Sequence, residues 1–181
     1  VSDDGGSSGR LRKEFGIVPP GDLRMALAAL CGEDNWGSTW ANVVQHRFKS
    51  KGELDGHSLG NLMITALWEE TGDIVSGLEW LGKLLGAKGR VLPLALEPLR
   101  IEAEVKSVSG AKRKVIGQVK VATVKDKITA ISISPKDPEV CQEAVEAVLK
   151  ADTVILGPGS WYTSVLNHFE VSEMKKALVS T

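Results

Sequence analysis

Asp152-Thr153-Val154-Ile155-Leu156-Gly157-Pro158-Gly159-Ser160-Trp161-Tyr162-Thr163-Ser164 is the stretch on which a reading of this chain turns. Residues 153–156 are short, β-branched and apolar, the pattern of a buried parallel strand. Gly157, Pro158 and Gly159 stop that strand, and Ser160 stands where the N-cap of a following helix belongs. Strand, glycine loop and helix N-terminus together form an arrangement that binds phosphate. The glycines admit an anion to the backbone, N–H groups point at it, and the helix dipole favours its charge. Ser160, Thr163 and Ser164 add hydroxyl donors on that first turn. A bare strand-to-helix turn with a capping serine explains the same residues, so the motif needs support from elsewhere.

Support comes from the other end of the chain. Residues 3–12 read Asp3-Asp4-Gly5-Gly6-Ser7-Ser8-Gly9-Arg10-Leu11-Arg12, which reads as a loop. Its glycines allow close approach of a ligand. Arg10 and Arg12 are suited to pairing phosphate, and Asp3 and Asp4 to holding a ribose hydroxyl or a magnesium ion. A flexible Gly/Ser segment is the alternative. A third stretch, Asp55-Gly56-His57-Ser58-Leu59-Gly60-Asn61-Leu62, enters an apolar helix. His57 and Asn61 lie four apart and therefore share a helix face. They suit a sugar, a base edge or a phosphate, or they simply cap and bond locally. Gly60, a poor helix former, implies that something approaches it closely.

The totals narrow the class. The chain has 181 residues, 43% hydrophobic and 25% charged, with a net charge of −1. That is an ordinary globular composition, and a single domain spanning residues 1–181 is expected. The balanced charge and the lack of a basic stripe argue against a nucleic-acid partner. No apolar run approaches the ~18 residues that would suggest membrane insertion. The polar opening Val1-Ser2-Asp3-Asp4 has no signal-peptide pattern. Two distant cysteines, Cys31 and Cys141, fit a reducing, cytoplasmic setting. Neither a Ser-His-Asp nor a Cys-His arrangement is evident, and no His/Cys cluster has metal-ligand spacing. A nicotinamide-dinucleotide fingerprint is also incomplete, because the third glycine and the acidic residue ~20 positions on are missing.

Periodicity orders the elements. Helices are expected over residues 22–30, 35–48, 62–68 with its flanks, and 72–86. Strands are expected over residues 90–93, 101–105, 115–123 and 127–134, the last two forming a hairpin. Trp36 and Trp40 read as helix-packing residues, and Lys112, Arg113 and Lys114 as a solvated turn. A helix over residues 138–149 then delivers the chain to the strand and glycine loop. The order fits an α/β fold of the doubly-wound kind with a small β excursion near residues 101–134.

Four stretches, in this order and spacing, resemble a known family. They are Ser2-Asp3-Asp4-Gly5-Gly6-Ser7-Ser8-Gly9, Pro20-Gly21-Asp22-Leu23-Arg24, Gly56-His57-Ser58-Leu59-Gly60-Asn61-Leu62, and Gly157-Pro158-Gly159-Ser160-Trp161-Tyr162-Thr163-Ser164. The family groups 2-phospho-L-lactate transferase with the gluconeogenesis factor (CofD-like proteins). The helices with Trp68 and Trp80, and the Val91-Leu92-Pro93 step, resemble its actinobacterial gluconeogenesis-factor branch. The resemblance implies a Rossmann-like parallel sheet with flanking helices and ligands over the carboxyl ends of the strands. It also implies that this domain lacks its first strand with the Gly-rich loop, and its last strands.

Two functions are implied by the resemblance. In the first, the protein binds a nucleotide sugar of the UDP-N-acetylglucosamine type and regulates cell shape during growth on gluconeogenic carbon. Asp3, Asp4, Gly5, Gly6, Ser7, Ser8 and Arg10 would then lie near the nucleotide. Gly157, Pro158, Gly159, Ser160, Thr163 and Ser164 would serve the diphosphate, with His57 and Asn61 on the sugar or base. In the second, it is a magnesium-dependent phosphotransferase that moves a phospholactyl group from a guanylyl-activated donor to the deazaflavin Fo. Asp3 or Asp4 would hold the metal in that case. The first reading needs no cofactor, and magnesium enters only in the second. The ligand in either is a UDP-sugar or another nucleotide diphosphate, and a homo-oligomer is expected.

Overall fold

A computed structural model describes residues 2–157 and 159–181. Val1 and Pro158, the latter a candidate site residue, lie outside the described residues. Contacts divide the chain into two compact units, one of residues Gly5–Pro93 and one of residues 2–4 with Leu94–Thr181.

The first unit is helical: α1 Gly6–Phe15, α2 Gly21–Ala29, α3 Asn35–Gln45, α4 Leu59–Thr71 and α5 Ile74–Leu85. Two of these start at aspartates that cap them. Asp34 accepts the Gly37 N–H at 2.7 Å, and Asp73 accepts that of Ser76 at 2.7 Å, satisfying donors that a helix start leaves open. Leu78, Leu81 and Leu85 put one stripe of α5 into the core, with Leu27, Val44 and Ile64 also buried. Trp68 fastens α4 to the start of α5 by donating Nε1–H to the Ile74 carbonyl at 2.9 Å. Trp36 is more than half exposed. It packs at 5.7 Å from Trp40 and donates to the Leu84 carbonyl at 3.2 Å, as a helix-packing residue should. Residues 3–12, expected as a loop, are mostly helix α1, because Ser7, Ser8 and Leu11 share a buried face. Residues 90–93 form no strand; they come after a turn that hangs from Leu30, whose carbonyl accepts the Lys88 N–H at 2.8 Å.

The second unit is mixed: β1 Arg100–Lys106, β2 Lys112–Ile116, α6 Gln118–Thr123, β3 Lys127–Ser134, α7 Gln142–Leu149, a π-helical turn Trp161–Val165, α8 Asn167–Glu170 and α9 Ser172–Ser180. The β excursion is present, as a three-stranded antiparallel sheet in the order β2-β1-β3. Ala103 of β1 sits opposite Val115 on one side and Ile131 on the other. Ile101, Ala103 and Val105 alternate into a small core with Val115 and Val121, the period-2 pattern of a one-sided sheet. A second core joins Leu99, Ile133 and Val145 to Val171 and Met174.

Two strand expectations and one turn expectation change in this sheet. β2 and β3 do not form a hairpin with each other, since each pairs with β1. Residues 118–123 turn into α6, because Gly117 takes φ 105°, a conformation that ends a strand and suits glycine. Lys112–Lys114 belong to β2, where Arg113 reaches Asp126 at 2.9 Å and Lys114 pairs with Glu102.

The chain is a mixed α/β fold, and its described sheet is the antiparallel one. Residues 153–156 run without a ladder partner among the described residues, and Ile155 is 85% exposed. A strand exists only beside another that takes its N–H and C=O groups. Among the described residues no helix is long and apolar enough to cross a membrane.

Gly60 shows what approaches α4. A Cβ there would fall 2.6 Å from the Val44 carbonyl oxygen and 2.8 Å from Arg24 Cγ, so the close neighbour is protein. Gly60→Ala is expected to lower the unfolding free energy by about 1–3 kcal/mol through overpacking. Urea denaturation measures this, and an unchanged midpoint would show that α3 and α4 are not in such tight contact.

Candidate functional site

In the helical unit, four candidate residues meet at the N-terminal ends of α1 and α4. Ser7 and Ser8 enter from α1, His57 precedes α4, and Asn61 lies in its first turn; all four are buried. Ser7 Oγ receives the Ser58 N–H at 3.2 Å and the Asn61 Nδ2–H at 3.1 Å, and lies 3.1 Å from His57 Nδ1. Asn61 Nδ2 also reaches Ser8 Oγ at 3.5 Å. Its Oδ1 accepts from Arg24 Nε at 3.0 Å. Arg24 is only 4% exposed, and a buried guanidinium requires such an acceptor. Ser58 stands at the N-cap of α4, yet its hydroxyl donates to the Val44 carbonyl at 3.0 Å instead of capping the helix.

Arg24, the last residue of the Pro20–Arg24 motif, thus joins the cluster of candidate residues. The signal was present. Gly21, Arg24 and Ala28 share a buried helical spacing, and an arginine at a core position demands a partner.

Beside this cluster lies an open cleft of ≈ 380 Å³ lined by Arg10, Lys13, Glu14, Glu53 and His57. Arg10 donates to the carbonyls of Glu53 at 3.2 Å and Asp55 at 2.6 Å, so it braces the loop that delivers His57. Burial and the Arg10 charge hold the His57 imidazole below its ordinary range, while Glu14 opposes them weakly. A second cleft of ≈ 340 Å³, between α2 and α5, contains none of the candidate residues.

The mixed unit contains the other candidates. Asp4 Oδ1 accepts the Val119 N–H at 3.0 Å in the first turn of α6, and its other oxygen lies against Gly117. Asp4 therefore caps α6. Asp3 is half-buried. Gly157, Gly159, Ser160 and Ser164 are exposed, and Ser160 does cap: its Oγ accepts the Thr163 N–H at 3.3 Å. The turn it starts is π-helical, with the Val165 N–H reaching the Ser160 carbonyl at 3.2 Å. Such turns occur frequently at functional sites. Asn167 closes it from below, donating to the Thr163 carbonyl at 2.7 Å and to Ser2 Oγ at 3.3 Å. Ser2 in turn donates to Gln118 Oε1 at 2.6 Å. Sequence reasoning gives no role to Ser2, Gln118 and Asn167, because the contacts that join Ser2 to the other two span more than a hundred residues.

Among the described residues, no group of three or more His, Cys, Asp or Glu is placed to hold a metal ion. Burial pushes the Cys141 thiol up to about 11, the opposite of an activated nucleophile.

His57 also carries a pH signature. In the unfolded chain it titrates near its ordinary 6.5, and in the native state below that. Well above pH 6.5 both states are neutral and its contribution is flat. As pH falls further, the unfolded chain binds the proton first, so stability declines until native His57 titrates too. Denaturation midpoints measured from pH 8 to pH 5 are expected to show this decline, and His57→Gln to remove its share. An identical pH profile in the variant would place His57 in a solvent-like setting.

The family model described as "2-phospho-L-lactate transferase CofD" matches residues 1–181. A Mycobacterium tuberculosis protein named "Putative gluconeogenesis factor" is 49% identical over 184 residues, covering 100% of this chain and 54% of that protein. The "Gluconeogenesis factor" of Bacillus subtilis is 36% identical, covering 99% of this chain and 54% of its own length. A crystal structure of a UPF0052-family protein from Bacillus halodurans superposes with a TM-score of 0.87 at 40% identity, over 98% of this chain and 55% of that one. This chain spans about half the length of the curated relatives it matches.

Proposed function

This chain belongs to the family of the 2-phospho-L-lactate transferase CofD, and from that premise we propose that it is a nucleotide-sugar-binding regulatory protein. Its role would be that of a gluconeogenesis factor, needed for cell shape on gluconeogenic carbon. The relatives' names support the gluconeogenesis-factor part of that role. The observation that carries the binding part is the buried Ser7–His57–Asn61 cluster beside an open polar cleft. Buried polar groups joined in one network next to a cleft are the setting of a ligand site.

In this reading, the first turn of α1, with Gly5, Gly6, Ser7 and Ser8, offers backbone N–H groups to a phosphate. His57 faces the sugar or base, and Asn61 acts from behind it, its amide already engaged by Arg24, Ser7 and Ser8. The other unit carries a phosphate-binding motif of its own in this reading, Gly157, Gly159, Ser160, Thr163 and Ser164 after residues 153–156, with Asp3 and Asp4 of the same unit as its candidate nucleotide ligands. The cleft walls balance two cations against two carboxylates, which suits an uncharged sugar better than another anion.

One observation keeps a magnesium-dependent phosphotransferase as the second reading. Trp161 is 59% and Tyr162 39% exposed directly after Ser160, a surface on which an aromatic acceptor could stack. Magnesium, held by Asp3 or Asp4, would neutralise charge on the donor diphosphate there.

Isothermal titration with UDP-N-acetylglucosamine and with GDP, each with and without magnesium, separates the two. Micromolar binding of the uridine sugar without metal, lost in Ser160→Trp, is the expected result. GDP binding that requires magnesium and collapses in Asp3→Asn would overturn it in favour of the transferase.

A further inference from the structure

The hydrogen bonds around Ser7 have only one consistent set of directions. Arg24 donates and cannot accept, so the Asn61 atom facing it is Oδ1 and the amide nitrogen faces Ser7. The Ser58 backbone N–H is likewise a donor to Ser7 Oγ. A serine hydroxyl has two acceptor lone pairs and one proton. With both lone pairs occupied, the Ser7 proton goes to His57 Nδ1, 3.1 Å away. His57 Nδ1 is therefore the acceptor, and the ring proton sits on Nε2. That nitrogen has no hydrogen-bond partner among the described residues and is not enclosed, and His57 lines the cleft.

We propose that Arg24, through Asn61 and Ser7, fixes His57 as the neutral tautomer with its proton on Nε2, and that protonation of Nδ1 unlatches the first turn of α1 from α4. A proton on Nδ1 presents a third donor to Ser7 Oγ, which already accepts two. Ser7 must then release the Ser58 N–H or the Asn61 amide, and the freed donor stays buried. Loss of a buried partner is costly, so the latch resists protonation and gives way only as pH falls.

The surrounding charges set where that happens. α1 turns Arg10, Lys13 and Glu14 toward the cleft, and the loop before α4 adds Glu53. Arg47 holds the Gly56 carbonyl at 3.0 Å, His46 accepts the Leu59 N–H through its carbonyl, and α2 contributes Arg24 through Asn61. Arg10 opposes a charged His57 and Glu14 favours it. The consequence for ligands, that acid weakens binding at Gly5–Ser8, rests on the nucleotide-sugar-binding function; the latch itself does not.

Nitrogen-15 NMR of the histidine rings in the 181-residue chain, titrated from pH 8 to pH 5, tests the latch without any ligand. His57→Gln assigns the resonance against His46 and His168. The expected result is an Nε2–H tautomer that titrates below 6.5, with the Ser58 amide and the Asn61 side-chain amide shifting along the same curve. Ser7→Ala is expected to raise the titration midpoint and to populate the Nδ1–H form. An Nδ1–H tautomer in the wild type, or Ser58 and Asn61 signals indifferent to the His57 titration, would overturn the proposal. Because those two outcomes are read on the unmodified chain, a Ser7→Ala protein that failed to fold would not rescue it. Absence of nucleotide-sugar binding would count against the proposed function and leave the latch standing.

Discussion

A guanidinium with almost no exposure to water is the constraint on which the helical unit depends. Arg24 is always charged, and moving it out of water is expensive unless its donors are met. Asn61 Oδ1 meets one of them, and that single contact organises the rest of the network. It locks the orientation of the Asn61 amide, which then presents donors to Ser7 and Ser8. α2, α4 and α1 are thereby tied at one point by polar bonds, while the leucine stripe of α5 supplies apolar burial elsewhere. The apolar contacts give the unit its stability, since burial scales with area. The polar chain adds direction, because each member accepts only one geometry.

The mixed unit solves a different problem. Its three-stranded sheet is small, and β1, with neighbours on both sides, holds it together. One face of β1 closes on Val121 of α6, and the other core draws Leu99 and Ile133 against α7 and α9. α6 itself has little to recommend it locally, being short and β-branched. It forms because Gly117 turns the chain and Asp4, far away in sequence, takes up a donor of its first turn. A residue singled out as a nucleotide ligand is thus also a structural cap, and any ligand role for Asp4 must share its carboxylate with that helix.

These two cases explain which parts of the fold were legible in the sequence. The helices were legible, because apolar residues at helical spacing act within a few residues of themselves; their caps Asp34 and Asp73 and their stops Gly72 and Gly86 emerge with the structure. The β excursion was legible for the same reason, since β1 and β3 alternate or run apolar over their own length. The expectations that failed depended on distant partners. Residues 118–123 carry a strand-like composition that a remote aspartate overrides. Residues 153–156 have the composition of a buried strand, yet pairing belongs to two strands and cannot be encoded in one. α1 hid behind glycines and serines because its buried face is polar: Ser7 and Ser8 go inward to meet Asn61, and no hydrophobic pattern announces that.

The candidate site was legible to a similar depth. His57 and Asn61 pair on paper through a helical spacing of four, but His57 precedes α4, and the two meet through Ser7 and not on a shared helix face. That Ser7 completes them could not be read, since the contact spans fifty residues. Yet the roles separate once the partners are known. Asn61 has its oxygen on Arg24 and its nitrogen on two serines, so it holds the others in place. Ser7 has both lone pairs and its proton committed. His57 Nε2 has no partner among the described residues. His57 also lines the cleft, so Nε2 is the atom through which this network meets what enters there. The physical reading of this site is therefore a donor of fixed orientation, held by a buried charge two residues removed from it in the hydrogen-bond chain.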